Sequence, residues 1–310
     1  MSRALATSLA TFGLALCTIN IHAQTLLVFG DSLSDNGLAW QHSLTQAGDP
    51  VPPSPPYWQG RFSNGPVAVE IMAQTLGYTL DDRAWGGATT DTRNILNGGF
   101  GNFDNTGVQS QVSQYLQASP SIATNTQVVL WAGANDLFLS KTPASISQTL
   151  ANLQGVSQQL INAGARQILL PLLPDLGAAP FVVEGGATSA QSFHNASESV
   201  NAGLLTLAAS LSGQNPGITI RTFDTPSFVQ NLISGGLDGT TPCVSGGFWG
   251  VESVCANPDQ HVFWDGTHFS AVVHQQLGVA MAAVVPEPSA YLLWGLGILA
   301  LGMATRRHRL

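Results

Sequence analysis

The sequence predicts an α/β fold, a five-stranded parallel sheet covered by helices on both faces. Three observations predict it. Short runs rich in Val, Ile and Leu recur between longer stretches of helical period. The runs are continuously apolar, as strands buried on both faces require. Strand and helix signals alternate along the chain, which supplies the crossovers a parallel sheet needs.

Five segments carry the strand signal: 25–30 (TLLVFG), 78–85, 126–132 (TQVVLWA), 166–172 (RQILLPL) and 217–223 (GITIRTF), all five expected to be buried. Helical periodicity marks 67–76, 108–117, 143–162, 191–211 and 271–284. No repeat or linker divides residues 24–285, so a single domain is predicted there. The Pro-rich segment 50–56 follows the first strand and the Gly-rich segment 235–250 follows the last. Ligands of open α/β sheets sit at the carboxyl ends of the strands, which makes both loops candidate substrate walls.

Composition narrows the function classes. Of 310 residues 44% are hydrophobic and only 9% charged, against a usual charged share of roughly 25%, so a charge-rich disordered chain is excluded. With 10 Lys+Arg against 18 Asp+Glu, the chain lacks the basic footprint that phosphate backbones demand, and no nucleic-acid partner is expected. The one lysine, Lys141, sits in no P-loop, Schiff-base or Ser-Lys context.

Both ends read as addresses. Residues 1–23 begin with Arg3, run through a mostly apolar stretch interrupted by Thr and Ser, and end at Ala23, as a secretory signal peptide does. Cys17 lies within it and is discarded with it. At the other end Pro286-Glu287-Pro288 precedes an apolar run, 290–304, and the basic tip Arg306, Arg307 and Arg309. Fifteen helical residues span roughly 22 Å, a short match to a hydrocarbon core of roughly 30 Å. Residues 286–310 resemble the PEP-CTERM sorting signal with its short transmembrane helix. That resemblance implies transient anchoring in the inner membrane, cleavage by an exosortase-type enzyme, and a final place at the cell surface or outside it. A permanent single-helix anchor is the alternative, and both put residues 24–285 on the periplasmic face. Two cysteines remain there, Cys243 and Cys255, and an even pair in an oxidising compartment predicts a disulfide contributing about 3 kcal/mol. Removing both ends leaves 6 basic and 17 acidic residues, a formal charge of −11.

The chemistry begins where the first strand runs into Gly30-Asp31-Ser32-Leu33. A serine at the carboxyl end of a buried strand projects its hydroxyl where ligands bind, but it needs a base to become a nucleophile. Of His42, His194, His261, His268 and His274, only His268 has an acid placed to share one turn with it, in Asp265-Gly266-Thr267-His268. His274 reads as a surface or satisfied helix residue. The second strand leads into Gly86-Gly87 and the third into Gly133-Ala134-Asn135-Asp136, so a glycine N–H, the Asn135 amide and the Ser32 N–H are candidate oxyanion donors. Asp31 and Asp136 read as turn-bonding residues. Trp58 and Trp249, in long loops, are candidate acyl or sugar contacts. Asp31, Asp35 and Gly37 lack the partners of a calcium loop, and no metal is expected.

These four blocks, Gly30-Asp31-Ser32-Leu33, the one containing Gly87, Gly133-Ala134-Asn135-Asp136 and Asp265-Gly266-Thr267-His268, resemble the ordered blocks of the GDSL, or SGNH, hydrolases. The segments 60–65 and 263–266 extend the likeness to their secreted lipase-like branch. The resemblance implies a three-layer, flavodoxin-like domain without a cofactor. It implies Ser32 as nucleophile, Asp265 and His268 as its triad partners, and Ser32, Gly87 and Asn135 as oxyanion donors, with Gly86 as the alternative to Gly87. The expected function is a secreted serine esterase or lipase that hydrolyses carboxylic esters through an acyl-Ser32 intermediate, its substrates lipids or short-chain esters. A carbohydrate O-acetylesterase acting on acetylated extracellular polysaccharide, or a catalytically idle surface or matrix protein retaining the fold, are the alternatives.

Overall fold

A computed structural model describes residues 24–46 and 49–285. The segments expected to be a signal peptide, 1–23, and a PEP-CTERM sorting signal with a short transmembrane helix, 286–310, lie outside the described residues. Among the described residues no helix is long and apolar enough to cross a membrane.

The sheet consists of β1 (Thr25–Gly30), β2 (Thr79–Asp82), β3 (Gln127–Trp131), β4 (Gln167–Pro171) and β5 (Thr219–Phe223) in the order β2-β1-β3-β4-β5, every pair parallel. The central strands are buried along nearly their whole length, as their unbroken Val/Leu/Ile runs require. The expectation of five buried strands fails at the two edges. In β2 and β5 most residues are only half-buried, because Thr79, Asp81, Arg221 and Thr222 supply the polar face of an edge strand. The second strand is also four residues long instead of eight, ending where Arg83 N–H bonds back to Val28 and Trp85 N–H to Gly30.

The long helices fall where periodicity places them, as α2 (Ala68–Leu76), α3 (Val108–Ala118), α5 (Pro143–Asn162), α7 (Ala187–Gln214) and α9 (Ala271–Ala283). One layer packs α2 against α9, and the other packs α5 against α3 and α7. Gly278 allows the α2–α9 approach, since a methyl group there would meet Ala68 and Ile71. Three helices of five or six residues, too short for periodicity to register, add α1 (Leu38–Ser43), α4 (Ala134–Leu139) and α6 (Pro180–Glu184), and the ten-residue α8 (Thr225–Ser234) is a further helix outside the segments that the sequence marks as helical. Thr142 caps α5 and Asp224 caps α8, each accepting a backbone N–H three residues on.

The 235–250 loop is not wholly irregular. It enters an antiparallel hairpin of β6 (Val244–Ser245) and β7 (Ser253–Val254), closed at its base by the Cys243–Cys255 disulfide. Val244 N–H bonds Trp264 and Cys243 N–H bonds Phe263, so the hairpin lies along the segment that leads into Asp265.

The strand order decides where chemistry can occur. From β1 the chain crosses one way to β2 and then returns past β1 to β3, so the crevice beyond the carboxyl ends of β1 and β3 is the topological switch point. Ser32 stands two residues beyond β1.

Candidate active site

Gly30 ends β1 in a place that admits no side chain, since a Cβ would lie 2.5 Å from the Trp131 carbonyl of β3. Its N–H and C=O are both held by the Gln111 amide of α3, at 3.0 and 2.9 Å. The chain then turns, with Ser34 and Asp35 N–H bonding the Asp31 carbonyl. Ser32 emerges from this braced turn.

The Ser32 hydroxyl lies 2.9 Å from His268 Nε2, and His268 Nδ1 lies 2.8 Å from Asp265 Oδ2. With Nδ1–H donating to the carboxylate, Nε2 is left to accept the serine proton. Asp265 Oδ1 accepts the backbone N–H groups of Thr267 and His268, both at 2.8 Å, so its own loop locks the carboxylate. The Phe62 ring backs the imidazole with ring centroids 4.9 Å apart.

Asn135, in the first turn of α4, donates one amide hydrogen to Ala88 at 2.9 Å, leaving its second for the cavity it lines. The two glycines after β2 are not equivalent. Gly86 N–H donates to Asp35 Oδ2 at 2.6 Å, whereas Gly87 lines the cavity beside Ser32 and Asn135. Gly87 has φ +77°, and a side chain there would collide with Asn94 and Leu96, so only glycine fits.

Two carboxyl groups hold the Gly86–Thr90 segment at its two ends, Asp35 at Gly86 and Asp136 at Thr90. Asp35 accepts four backbone N–H groups, from Gly37, Leu38, Ala39 and Gly86, at 2.6 to 3.1 Å. Asp136 accepts the Thr90 N–H at 2.9 Å and its hydroxyl at 2.6 Å. Asp136 thus bonds across 46 residues rather than within its own turn, while Asp31 does bond its own turn, at Leu33 N–H. Neither the Asp35 clamp nor a buried tyrosine, Tyr57, which donates to Asp265 Oδ2 at 2.7 Å, is legible in local sequence.

The site opens into a cavity of about 620 Å³ whose walls include Leu33, Phe62, Leu96, Phe138, Leu176 and Phe181. Of the two long loops, 235–250 contributes Pro242, Val244 and Trp249 to this wall, while none of residues 50–56 reaches it. Trp58 stacks on the Arg61 guanidinium instead. His274 is a core residue, wholly buried, its Nδ1 accepting Ala68 N–H at 3.1 Å, and burial pushes its imidazole down to about 3. Among the described residues no cluster of His, Cys, Asp and Glu has the make-up of a metal site.

Burial raises the Asp265 carboxyl, but the His268 charge and hydrogen bonds from His268, Thr267 and Tyr57 outweigh it, leaving it below the usual range. Asp31 goes the other way. Burial, only partly opposed by the Leu33 N–H, pushes it from 3.8 up to about 7. Folded protein therefore holds this proton more tightly than the unfolded chain, and the associated stability is complete below about pH 4 and lost as pH rises through 7, roughly 4 kcal/mol in all. The melting temperature is expected to fall by roughly 5–10 °C between pH 5 and pH 8. Burial raises the Asp35, Asp82 and Asp136 carboxyls in the same direction, so an Asp31→Asn variant should lose part of this slope in calorimetry; an undiminished slope would assign it to those other groups.

The profile of the GDSL-like lipase/acylhydrolase family matches residues 26–281, which takes in every residue of this site. The chain belongs to that family. Among proteins to which the chain is similar, the phosphatidylcholine-sterol acyltransferase of Aeromonas hydrophila is 34% identical over 180 residues, covering 55% of this chain and 51% of that protein. The thermolabile hemolysin of Vibrio parahaemolyticus is 27% identical over 277 residues, covering 83% and 62%. This GDSL-like chain thus spans between half and two thirds of the length of these two relatives. A solved G-D-S-L lipolytic protein from Veillonella parvula superposes with a TM-score of 0.48 at 12% identity, covering 85% of this chain and 98% of that one.

Proposed function

We propose that this GDSL-like acylhydrolase is a serine esterase that cleaves carboxylic esters of apolar acyl chains through an acyl-Ser32 intermediate. The observation that carries the reading is the unbroken line from Asp265 through His268 to Ser32, at 2.8 and 2.9 Å, opening into an apolar cavity. His268 Nε2 takes the Ser32 proton as Oγ attacks the ester carbonyl carbon. The resulting oxyanion is held by the Ser32 and Gly87 N–H groups and the free Asn135 amide hydrogen. His268 then delivers its proton to the leaving alkoxide, which departs as the alcohol. A water, deprotonated by His268, attacks the acyl-enzyme, and the proton returns to Ser32 Oγ as the carboxylic acid leaves. Asp265 stays ionised throughout and stabilises the imidazolium.

The same proposal divides the chain into an export signal (1–23), the hydrolase domain (24–285) and a PEP-CTERM sorting segment (286–310) removed by an exosortase-type enzyme after transient inner-membrane anchoring. The site of action is then the cell surface or the medium. The disulfide suits that oxidising destination.

A fluorophosphonate probe is expected to label Ser32 and no other residue, read by peptide mass spectrometry. On a p-nitrophenyl ester panel kcat/KM should rise from acetate to octanoate, as an apolar cavity of this size predicts. Acetate preference together with acetate release from acetylated polysaccharide would favour the O-acetylesterase, and absence of labelling would favour an idle protein. Intact mass of the mature protein should begin at Gln24 and lack the C-terminal arginines; retention of both ends would remove the export proposal.

A further inference from the structure

The side of Asp265 that faces away from its own loop is occupied by a residue 208 positions earlier in the chain. Tyr57 is 1% exposed and donates its hydroxyl to Asp265 Oδ2 at 2.7 Å, the same oxygen that accepts His268 Nδ1 at 2.8 Å. Its ring stands edge-on to Trp264, with centroids 6.0 Å apart, in a small cluster with Val244 and the Cys243–Cys255 disulfide. Packing alone would be met by phenylalanine. A buried phenol without a partner is costly, and here its one donor is spent on the carboxylate that orients the imidazole.

We propose that Tyr57 is a positioning residue of the active site, acting through Asp265 on His268. The proposal rests on the triad reading given above. Asp265 Oδ1 is pinned by two backbone N–H groups of its own loop and also lies 3.0 Å from His268 Nδ1, so without Tyr57 Oδ2 would keep only its contact with that imidazole. With Tyr57 both oxygens are held from fixed points, and the imidazole must conform to the carboxylate. The phenol also draws charge from Oδ2. Its loss makes Oδ2 a stronger acceptor and tightens the bond from His268 Nδ1–H. The Pro-rich 50–56 segment is therefore not a substrate wall but the approach that delivers this residue, with Tyr57 N–H bonded to Pro53. The disulfide hairpin closes the seat from the other side, along residues 263–264.

Other titratable groups facing His268 do not depend on Tyr57. Asp31 approaches from the turn after β1 and His274 from α9, while Glu184 and Glu252 line the same cavity. Any change produced by removing one oxygen at position 57 consequently passes through Asp265.

The test uses two readouts. In Ser32→Ala protein, the NMR resonance of the His268 Nδ1 proton is expected to move downfield on Tyr57→Phe. In protein with an intact Ser32, Tyr57→Phe should lower kcat on p-nitrophenyl butyrate about tenfold with KM within twofold, because the group lost touches neither substrate nor nucleophile. If Tyr57→Phe fails to fold, full-length protein grown on 3-fluorotyrosine decides. Its more acidic phenol should move the resonance upfield, and Tyr57 is the tyrosine that touches Asp265 among those described. An unmoved resonance, or a kcat unchanged by Tyr57→Phe, overturns the proposal. If the wild type hydrolyses no ester, the triad reading fails separately, and the resonance in the Ser32→Ala background still reads the Tyr57 coupling.

Discussion

Alanine at position 32 is expected to leave a folded protein whose kcat on p-nitrophenyl esters is on the order of 10⁵-fold lower, with KM little changed. Ser32 makes one side-chain hydrogen bond, to His268, and borders a cavity, so its hydroxyl contributes little to stability. The expected loss is large because no other group can form the covalent intermediate. His268 would remain as a base for water and the oxyanion donors would remain in place, which sets a residual rate of about 10³–10⁴ over water. The decisive comparison is kcat with melting temperature. A variant that keeps its melting temperature and more than about a tenth of its activity would exclude Ser32 as nucleophile.

Asp35→Ala is expected to have the largest effect on stability. The carboxylate is wholly buried and holds four backbone N–H groups, three at the start of α1 and one at Gly86. Alanine leaves those donors unsatisfied at a cost of about 1–3 kcal/mol each, so a total loss of at least about 4 kcal/mol is expected. That corresponds to a fall in melting temperature of roughly 10 °C or more. Activity should fall as well, by about 10²-fold at temperatures where the variant remains folded, because Gly87 is released with Gly86. Asp35→Asn keeps one accepting oxygen and should lie between the two. A melting temperature within about 2 °C of wild type would show that water replaces the carboxylate and that the clamp is dispensable.

The parts of the fold legible in sequence are those whose signal is local. The unbroken apolar runs of β1, β3 and β4 mark buried strands, and the long helices announce themselves by their period. Burial at β2 and β5 is not local, because it depends on which strands the topology leaves at the edges. The four motif blocks mark Ser32, Asn135, Asp265 and His268, but the choice between Gly86 and Gly87 depends on which N–H another residue occupies. That occupant, Asp35, lies 51 residues away, and Tyr57 lies 208 residues from Asp265. No window along the chain contains either pair. The hairpin of β6 and β7 escapes notice because two-residue strands leave no alternation to read.

The span between the proposed nucleophile and the proposed base has a consequence for the life of the chain. Ser32 follows the first strand and His268 precedes the last helix, 236 residues apart. Such a pairing carries a large loop-closure entropy and forms only after the intervening sheet is in place. No nascent fragment that ends before residue 268 contains both halves of the pair. The proposed catalytic pair thus cannot come together until the segment carrying His268, next to α9, has been made.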